Sequence, residues 1–206
     1  MKNNSKIIFF FTIVQFLIFF SVQSNDSFNF DVTEVEITEK GNKFIGKKRG
    51  TITTDDGLVL NADEFTYYKN LNILNAIGNV KITDTIKNSI IYTDEITYLK
   101  NTEIIFTNGY SIYLEDELTI FADNFEYNKI LNIINANGDV KIENSVEDYV
   151  IYSDNINYFR NKNKFITQGK TKSIIEKKYN FYSSDVQFLR DKKILSSTKN
   201  IETIVT

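Results

Sequence analysis

The sequence predicts an all-β protein assembled from a repeated unit, and three observations predict it. The stretch 62–82, ADEFTYYKNLNILNAIGNVKI, returns without a gap sixty positions later at 122–142 as ADNFEYNKILNIINANGDVKI, which is an internal repeat. None of the 206 residues is Pro, as suits a chain of paired strands in which Pro would delete ladder hydrogen bonds. No window carries a 3.6-residue apolar period over helix length.

In chain order, Lys2 and Lys6 come first, then an apolar run over 7–20, then Ser21, Val22, Gln23 and Ser24. A charged start, a core short of the ~20 residues of a membrane span and small residues at the end read as a secretory leader over 1–24, with an uncleaved anchor as the alternative. The remainder, 25–206, is then exported and reads as one domain without an evident linker. After a polar entry, Phe30 to Thr38 is a first, irregular strand, and Gly46-Lys47-Lys48-Arg49-Gly50 is a solvated basic loop. Leu58, Leu60 and Ala62 alternate with polar neighbours, but Phe65 and Tyr67 take the opposite parity. A one-residue slip sends every side chain to the other face, so this switch across Asp63-Glu64 demands a bulge or a corner. Lys69-Asn70 is a turn, and the next run, Leu71 to Ile82, changes parity again. Eleven or twelve strands are expected between Val32 and Thr198.

The 60-residue repeat is itself double. Its frame is an Asp, an apolar residue two places on, Tyr four places on, Lys or Arg six places on and Gly fifteen places on. These slots hold Asp63, Phe65, Tyr67, Lys69 and Gly78; Asp94, Ile96, Tyr98, Lys100 and Gly109; Asp123, Phe125, Tyr127, Lys129 and Gly138; Asp154, Ile156, Tyr158, Arg160 and Gly169. A degraded fifth copy keeps Val186, Phe188 and Arg190 but has Lys199 in the Gly slot.

Composition excludes several functions. A net charge of −3 offers no basic face for nucleic acid. Without Cys there is no disulfide and no lipid-modified N-terminus. Without His, Cys or a GxSxG elbow, nucleophilic catalysis has little support, since nothing singles out a Ser-Lys pair, and neither an enzyme nor a cofactor is expected. A catalytic carboxylate pair is needed once, whereas Asp63, Asp94, Asp123 and Asp154 recur in every good copy where the parity changes. They are therefore read as corners that accept local N–H groups, with no metal site. Gly78, Gly109, Gly138 and Gly169 form no GxGxxG and are read as bulges or close backbone approaches. The Tyr slots fit either a filled core or an apolar groove with phenols at its rim; the residues alone leave both open.

The wording Ala62-Asp63-Glu64-Phe65-Thr66-Tyr67 with Ala76-Ile77-Gly78-Asn79-Val80, repeated as Ala122 to Tyr127 with Ala136 to Val140, resembles the OstA-like repeat of the lipopolysaccharide transport family. The resemblance spans about Thr51 to Leu189. The family takes in the periplasmic bridge protein LptA and the N-terminal periplasmic domain of the assembly protein LptD. It implies an antiparallel β-jellyroll of two sheets splayed into a V, with lipopolysaccharide acyl chains inside and end-to-end pairing with other jellyrolls through edge strands. The expected groove is lined by Phe65, Tyr67, Leu74, Val80, Ile96, Tyr98, Leu118, Ile120, Phe125, Tyr127, Ile134, Val140, Ile156 and Tyr158, because both long units place large apolar residues at matching slots. A length near 200 behind a leader suits the free-standing bridge protein; the strand-like end Ile201 to Thr206 inside a degraded repeat suits the front of a larger outer-membrane protein. The expected compartment is the periplasm, at the outer membrane in the second case. The reading from another class is a structural β-solenoid, such as an adhesin module, in which the same apolar faces seal a core.

Overall fold

The computed structural model describes residues 28–199 and 201–205. The leader expected over 1–24 lies outside the described residues. Nineteen strands follow one another among the described residues: β1 (Phe28–Asp31), β2 (Glu34–Thr38), β3 (Lys43–Lys47), β4 (Gly50–Thr54), β5 (Leu58–Ala62), β6 (Glu64–Tyr68), β7 (Ile73–Asp84), β8 (Ser89–Leu99), β9 (Ile104–Asn108), β10 (Ser111–Glu115), β11 (Leu118–Ala122), β12 (Asn124–Asn128), β13 (Ile133–Asn144), β14 (Tyr149–Phe159), β15 (Lys164–Ile175), β16 (Tyr179–Ser184), β17 (Val186–Leu189), β18 (Ile194–Ser197) and β19 (Glu202–Val205). Between Val32 and Thr198 this is more than the eleven or twelve expected. The reason is that a frame Asp divides what reads as one run, so that 58–68 becomes β5 and β6, and 118–128 becomes β11 and β12.

Every pairing is antiparallel, and the pairings trace two arms. One arm runs β1, β4, β5, β7, β8, β10, β11, β13, β14, β15, β16, β19. The other runs β2, β3, β6, β7, β8, β9, β12, β13, β14, β15, β17, β18. Five long strands, β7, β8, β13, β14 and β15, belong to both, one half in each arm. This antiparallel connectivity removes the solenoid reading, since the coils of a β-helix stack as parallel strands.

The long strands cross from arm to arm at bulges. In β7 the register shifts between Ile77 and Val80, where Gly78 and Asn79 face the single Asp94 of β8. The same shift falls between Asn137 and Val140 of β13, opposite Asp154. The extra residue bends the strand, but burial keeps one parity through it: β7 and β13 share one pattern, with inward residues Leu74, Ala76, Val80 and Ile82 answered by Ile134, Ala136, Val140 and Ile142. The parity change expected within Leu71 to Ile82 is therefore absent, and the switch falls on the facing strands, at Asp94 of β8 and Asp154 of β14. The bulges thus form a spine along which the two arms fold toward each other. Phe28 of the first arm meets Tyr67 and Tyr98 of the second at ring-centroid distances of 4.7 and 6.0 Å.

The basic segment 46–50 is not a loop throughout. Gly46 and Lys47 end β3, Gly50 begins β4, and only Lys48 and Arg49 turn between the arms. A Cβ at Gly50 would stand 2.5 Å from Val32 Cγ1, which is why the chain needs Gly where these strands cross.

Candidate functional site

The frame Asp and its Gly are a packed pair. The N–H of Asp63 donates to the Gly78 carbonyl at 2.9 Å, and that of Asp123 to the carbonyls of Asn137 and Gly138, both at 3.1 Å. Gly78, Gly138 and Gly169 have φ of +81°, +76° and +89°, and a Cβ there would stand 2.7, 2.1 and 2.1 Å from the carboxylates of Asp63, Asp123 and Asp154. Only Gly combines that backbone with that approach. Gly109 has φ +91° but a looser neighbour, with Asp94 Oδ2 at 3.4 Å. These carboxylates serve local contacts: Asp63 accepts from Arg49 and Asn79, and Asp154 from the Lys170 N–H. No group of three or more His, Cys, Asp or Glu placed to hold a metal occurs among the described residues.

The bulge spine puts all fourteen apolar residues singled out above on the inner faces of the arms, within one core cluster. Their register makes rows. Tyr67, Leu74, Tyr98, Ile105, Tyr127, Ile134, Tyr158, Phe165 and Phe188 stand opposite one another strand by strand. At ~4.8 Å per strand this row runs roughly 38 Å. Ile105, Tyr113, Phe165 and Phe188 belong to the same surface although they were not singled out. Two of them, Ile105 and Phe165, stand eleven places after Asp94 and Asp154, the slot that Leu74 and Ile134 hold after Asp63 and Asp123, so the repeat itself marks them. The rows do not stand open: the fourteen side chains are between 0% and 4% exposed, packed against one another across the two arms.

Opposite the spine, the turns of the two arms meet, and here polar groups replace apolar ones. Lys100 lies 2.7 Å from Asp55 and 2.8 Å from Asp56, and Lys129 pairs with Asp56 as well. Arg160 donates to Glu115 through Nη2 at 2.7 Å and Nε at 3.1 Å, to the Lys87 carbonyl at 2.9 Å, to Tyr127 Oη at 2.9 Å and to Asn132 at 3.0 Å. The frame phenols join them: Tyr98 donates to Asp56 at 2.8 Å, Tyr127 to Asp84 at 3.2 Å and Tyr158 to Glu115 at 2.9 Å. The Lys100, Lys129 and Arg160 side chains are 11%, 6% and 4% exposed, so these pairs are largely screened from water.

The electrostatics fit that burial. Burial pushes the Asp56 carboxyl up, but hydrogen bonds from Lys100 and Lys129, then Thr54 and Tyr98, outweigh it and hold it well below the usual carboxylate range. Burial first, then the Asp56 carboxylate, push the Tyr98 phenol far up. Burial likewise raises Tyr127 and Tyr158. The phenols are therefore fixed as protonated donors. The basic slot of the frame was visible in the sequence as a recurring position, but its acidic partners were not. Asp55, Asp56 and Glu115 lie in the links between copies, where carboxylates look like ordinary turn residues.

The arrangement is a two-armed antiparallel sheet with a continuous, filled apolar interior, a bulged spine and ion pairs where the turns of the arms meet. The chain matches the OstA-like protein family over residues 28–185, and it belongs to that family, a non-enzymatic transport family. No curated protein matches. Among solved structures it is similar to the crystal structure of LptH, the LptA-homologous periplasmic component of the lipopolysaccharide transport device of Pseudomonas aeruginosa, at 14% identity. That match covers 72% of this chain and 94% of that chain, with a TM-score of 0.31. No helix among the described residues is long and apolar enough to cross a membrane, which says nothing of strands that cross one.

Proposed function

We propose that the protein is a periplasmic, non-enzymatic carrier that shelters the acyl chains of lipopolysaccharide between its two arms and passes the molecule toward the outer membrane. The carrying observation is the unbroken apolar row from Tyr67 to Phe188 on the inner face, in a chain of the OstA-like family. At about 0.8 kcal/mol per CH₂, a multi-chain lipid does not cross water unsheltered, and an apolar row replaces the bilayer with no chemical step. Passing along the row is sliding, so no catalytic group is required.

Neighbours in such a bridge would add at the ends of the arms. Among the described residues, β1 and β2 at one end and β18 and β19 at the other each pair on one side only. Their exposed apolar residues include Val35, Ile37, Ile204 and Val205. Unpaired strand edges are templates for a further strand, here that of another jellyroll. The test is a photo-crosslinking residue at Tyr67, Phe125 or Tyr158, which should capture lipopolysaccharide in cells, against one at outward-facing Thr66 or Glu126, which should not. Equal capture from both sets, or none from any site in folded protein, would refute the carrier.

A further inference from the structure

The interior is filled by the protein's own side chains, and a core at crystal-like density takes in no acyl chain unless the arms move apart. Along the spine they are joined by five continuous strands. At the mouth no strand pairing joins them among the described residues, and the links named above are made by side chains. Any opening that admits a chain therefore breaks the contacts of Lys100, Lys129 and Arg160.

These contacts are sorted by sign. The cations Lys100, Lys129 and Arg160 stand on the arm containing β6 and β12, whereas Asp55, Asp56, Asp84 and Glu115 stand on the arm containing β5 and β11. A parted mouth has one basic lip and one acidic lip. Parting an ion pair held out of water leaves charges uncompensated, which is costly unless another counterion arrives. A phosphate accepts from the same ammonium and guanidinium donors as a carboxylate, with equal or better geometry. Arg190, next along the basic lip, already shows the vacancy. It donates to Tyr158 Oη at 2.9 Å and Asn163 at 3.3 Å and lies beside the Tyr149 phenol, but has no carboxylate among its hydrogen-bond partners, and its buried Nε has no hydrogen-bond partner among the described residues.

We propose that the mouth is an ionic seam opened by exchange, in which the phosphates of an anionic amphiphile replace Asp56 and Glu115 on Lys100, Lys129, Arg160 and Arg190 while its chains enter the core. This rests on the carrier reading and names what that reading leaves open, namely the headgroup chemistry that admits a lipid. The seam makes entry selective: a neutral amphiphile of the same chains must break the same pairs and brings nothing to replace them. Exposed Ile86 on the acidic lip and Ile130 on the basic lip, 69% and 65% exposed, present apolar tips outside the seam where a chain first arrives.

The chain contains no Cys, so Ile86→Cys and Ile130→Cys introduce the only two labelling sites across the mouth. Spin-label distances and binding would be measured with bisphosphorylated lipid A and with the same lipid stripped of both phosphates. The phosphorylated probe should lengthen the distance and bind at least about tenfold more tightly, the factor that one strong charge-assisted contact supplies. Asp56→Asn and Glu115→Gln should lengthen the distance without lipid while keeping that preference. Lys129→Gln and Arg160→Gln, or the milder Lys100→Gln if these do not fold, should also loosen the mouth but reduce the preference. Equal binding of both lipids by the parent protein, or acidic-lip and basic-lip variants that change the preference alike, would overturn the exchange and leave the carrier standing. Binding of neither lipid by folded protein would overturn both.

Discussion

Replacing Gly138 by Ala tests whether the recurring Asp–Gly pair is what sets the bulge. Two costs add at this position. The first is the backbone: at φ +76° an L side chain sits in the left-handed region, at roughly 1–2 kcal/mol. The second is the approach of Asp123, whose Oδ2, Cγ and Cβ lie 2.1, 2.7 and 2.9 Å from the new Cβ. Turning the carboxylate aside does not relieve the contact with Asp123 Cβ, so the strands must part locally, at about 1–3 kcal/mol for overpacking. Gly109→Ala is the internal control, because it carries the same sign of φ, +91°, while its nearest contacts are Asp94 Oδ2 at 3.4 Å and Cβ at 3.8 Å. Gly138→Ala should therefore lose about 2–5 kcal/mol and Gly109→Ala about 1–2 kcal/mol, the difference being the packing part. Equilibrium urea unfolding followed by far-UV circular dichroism measures both. Asp123→Gly in the Gly138→Ala background should recover the packing part, whereas Asp123→Ala, which retains Cβ, should not. Equal losses at the two glycines, or no recovery with Asp123→Gly, would refute the idea that the Asp123 side chain and the glycine are fitted to each other.

Two further outcomes concern the mouth. Arg160→Met takes the cation from Glu115 in a largely buried setting, leaving it the Tyr158 hydroxyl as donor, and should cost ~3–5 kcal/mol; adding Glu115→Gln should return part of it, and a double-mutant cycle by urea unfolding reads the coupling. The Asp56 carboxyl is held below its unfolded value, so its contribution is fully present above the unfolded pKa of about 3.9 and is lost as pH falls toward the folded one. Lys100 is raised: burial opposes the shift, and hydrogen bonds to Asp55 and Asp56 exceed it. Its contribution is thus present below about 10.4 and lost as pH rises beyond that. Thermal melts should show Asp56→Asn less acid-sensitive than the parent and Lys100→Gln less alkali-sensitive; unchanged profiles would detach these groups from stability.

Much of the fold was legible because β structure writes its geometry in parity. Phe65 and Tyr67 fall out of step with Leu58 and Leu60 since Asp63 breaks the strand there, and Ile96 and Tyr98 fall out of step with Ser89 and Ile91 across Asp94, which faces the extra residue of β7. Strand count was less legible, because a corner of one residue does not look like an end. The segment 46–50 misled by its charge: Lys47 and Lys48 pair with Glu36 and Glu34 on the neighbouring strand, so a basic run there decorates strand ends instead of a free loop.

The mouth shows a different limit. Lys100 with Asp55 and Arg160 with Glu115 are the same contact shifted by one 60-residue period, each pair 45 residues apart. The repeat therefore encodes the pair, but the acid lies outside the frame and no local pattern marks it. The intervening copy shows why spacing alone does not assign it. Counting 45 back from Lys129 reaches Asp84, yet Asp84 accepts from the Ile86 and Lys87 N–H groups and from Tyr127, and Lys129 turns to Asp56 instead. One period on from Asp84 stands Asn144, which accepts from Val146 and Glu147 in the same manner but carries no charge. The turn survives that change, because a side-chain carbonyl serves the turn as well as a carboxylate does. Counting 45 back from Arg190 reaches Ser145, beside Asn144, so Arg190 has no acid at the matching position, and the seam is least neutralised where the repeat itself is most degraded.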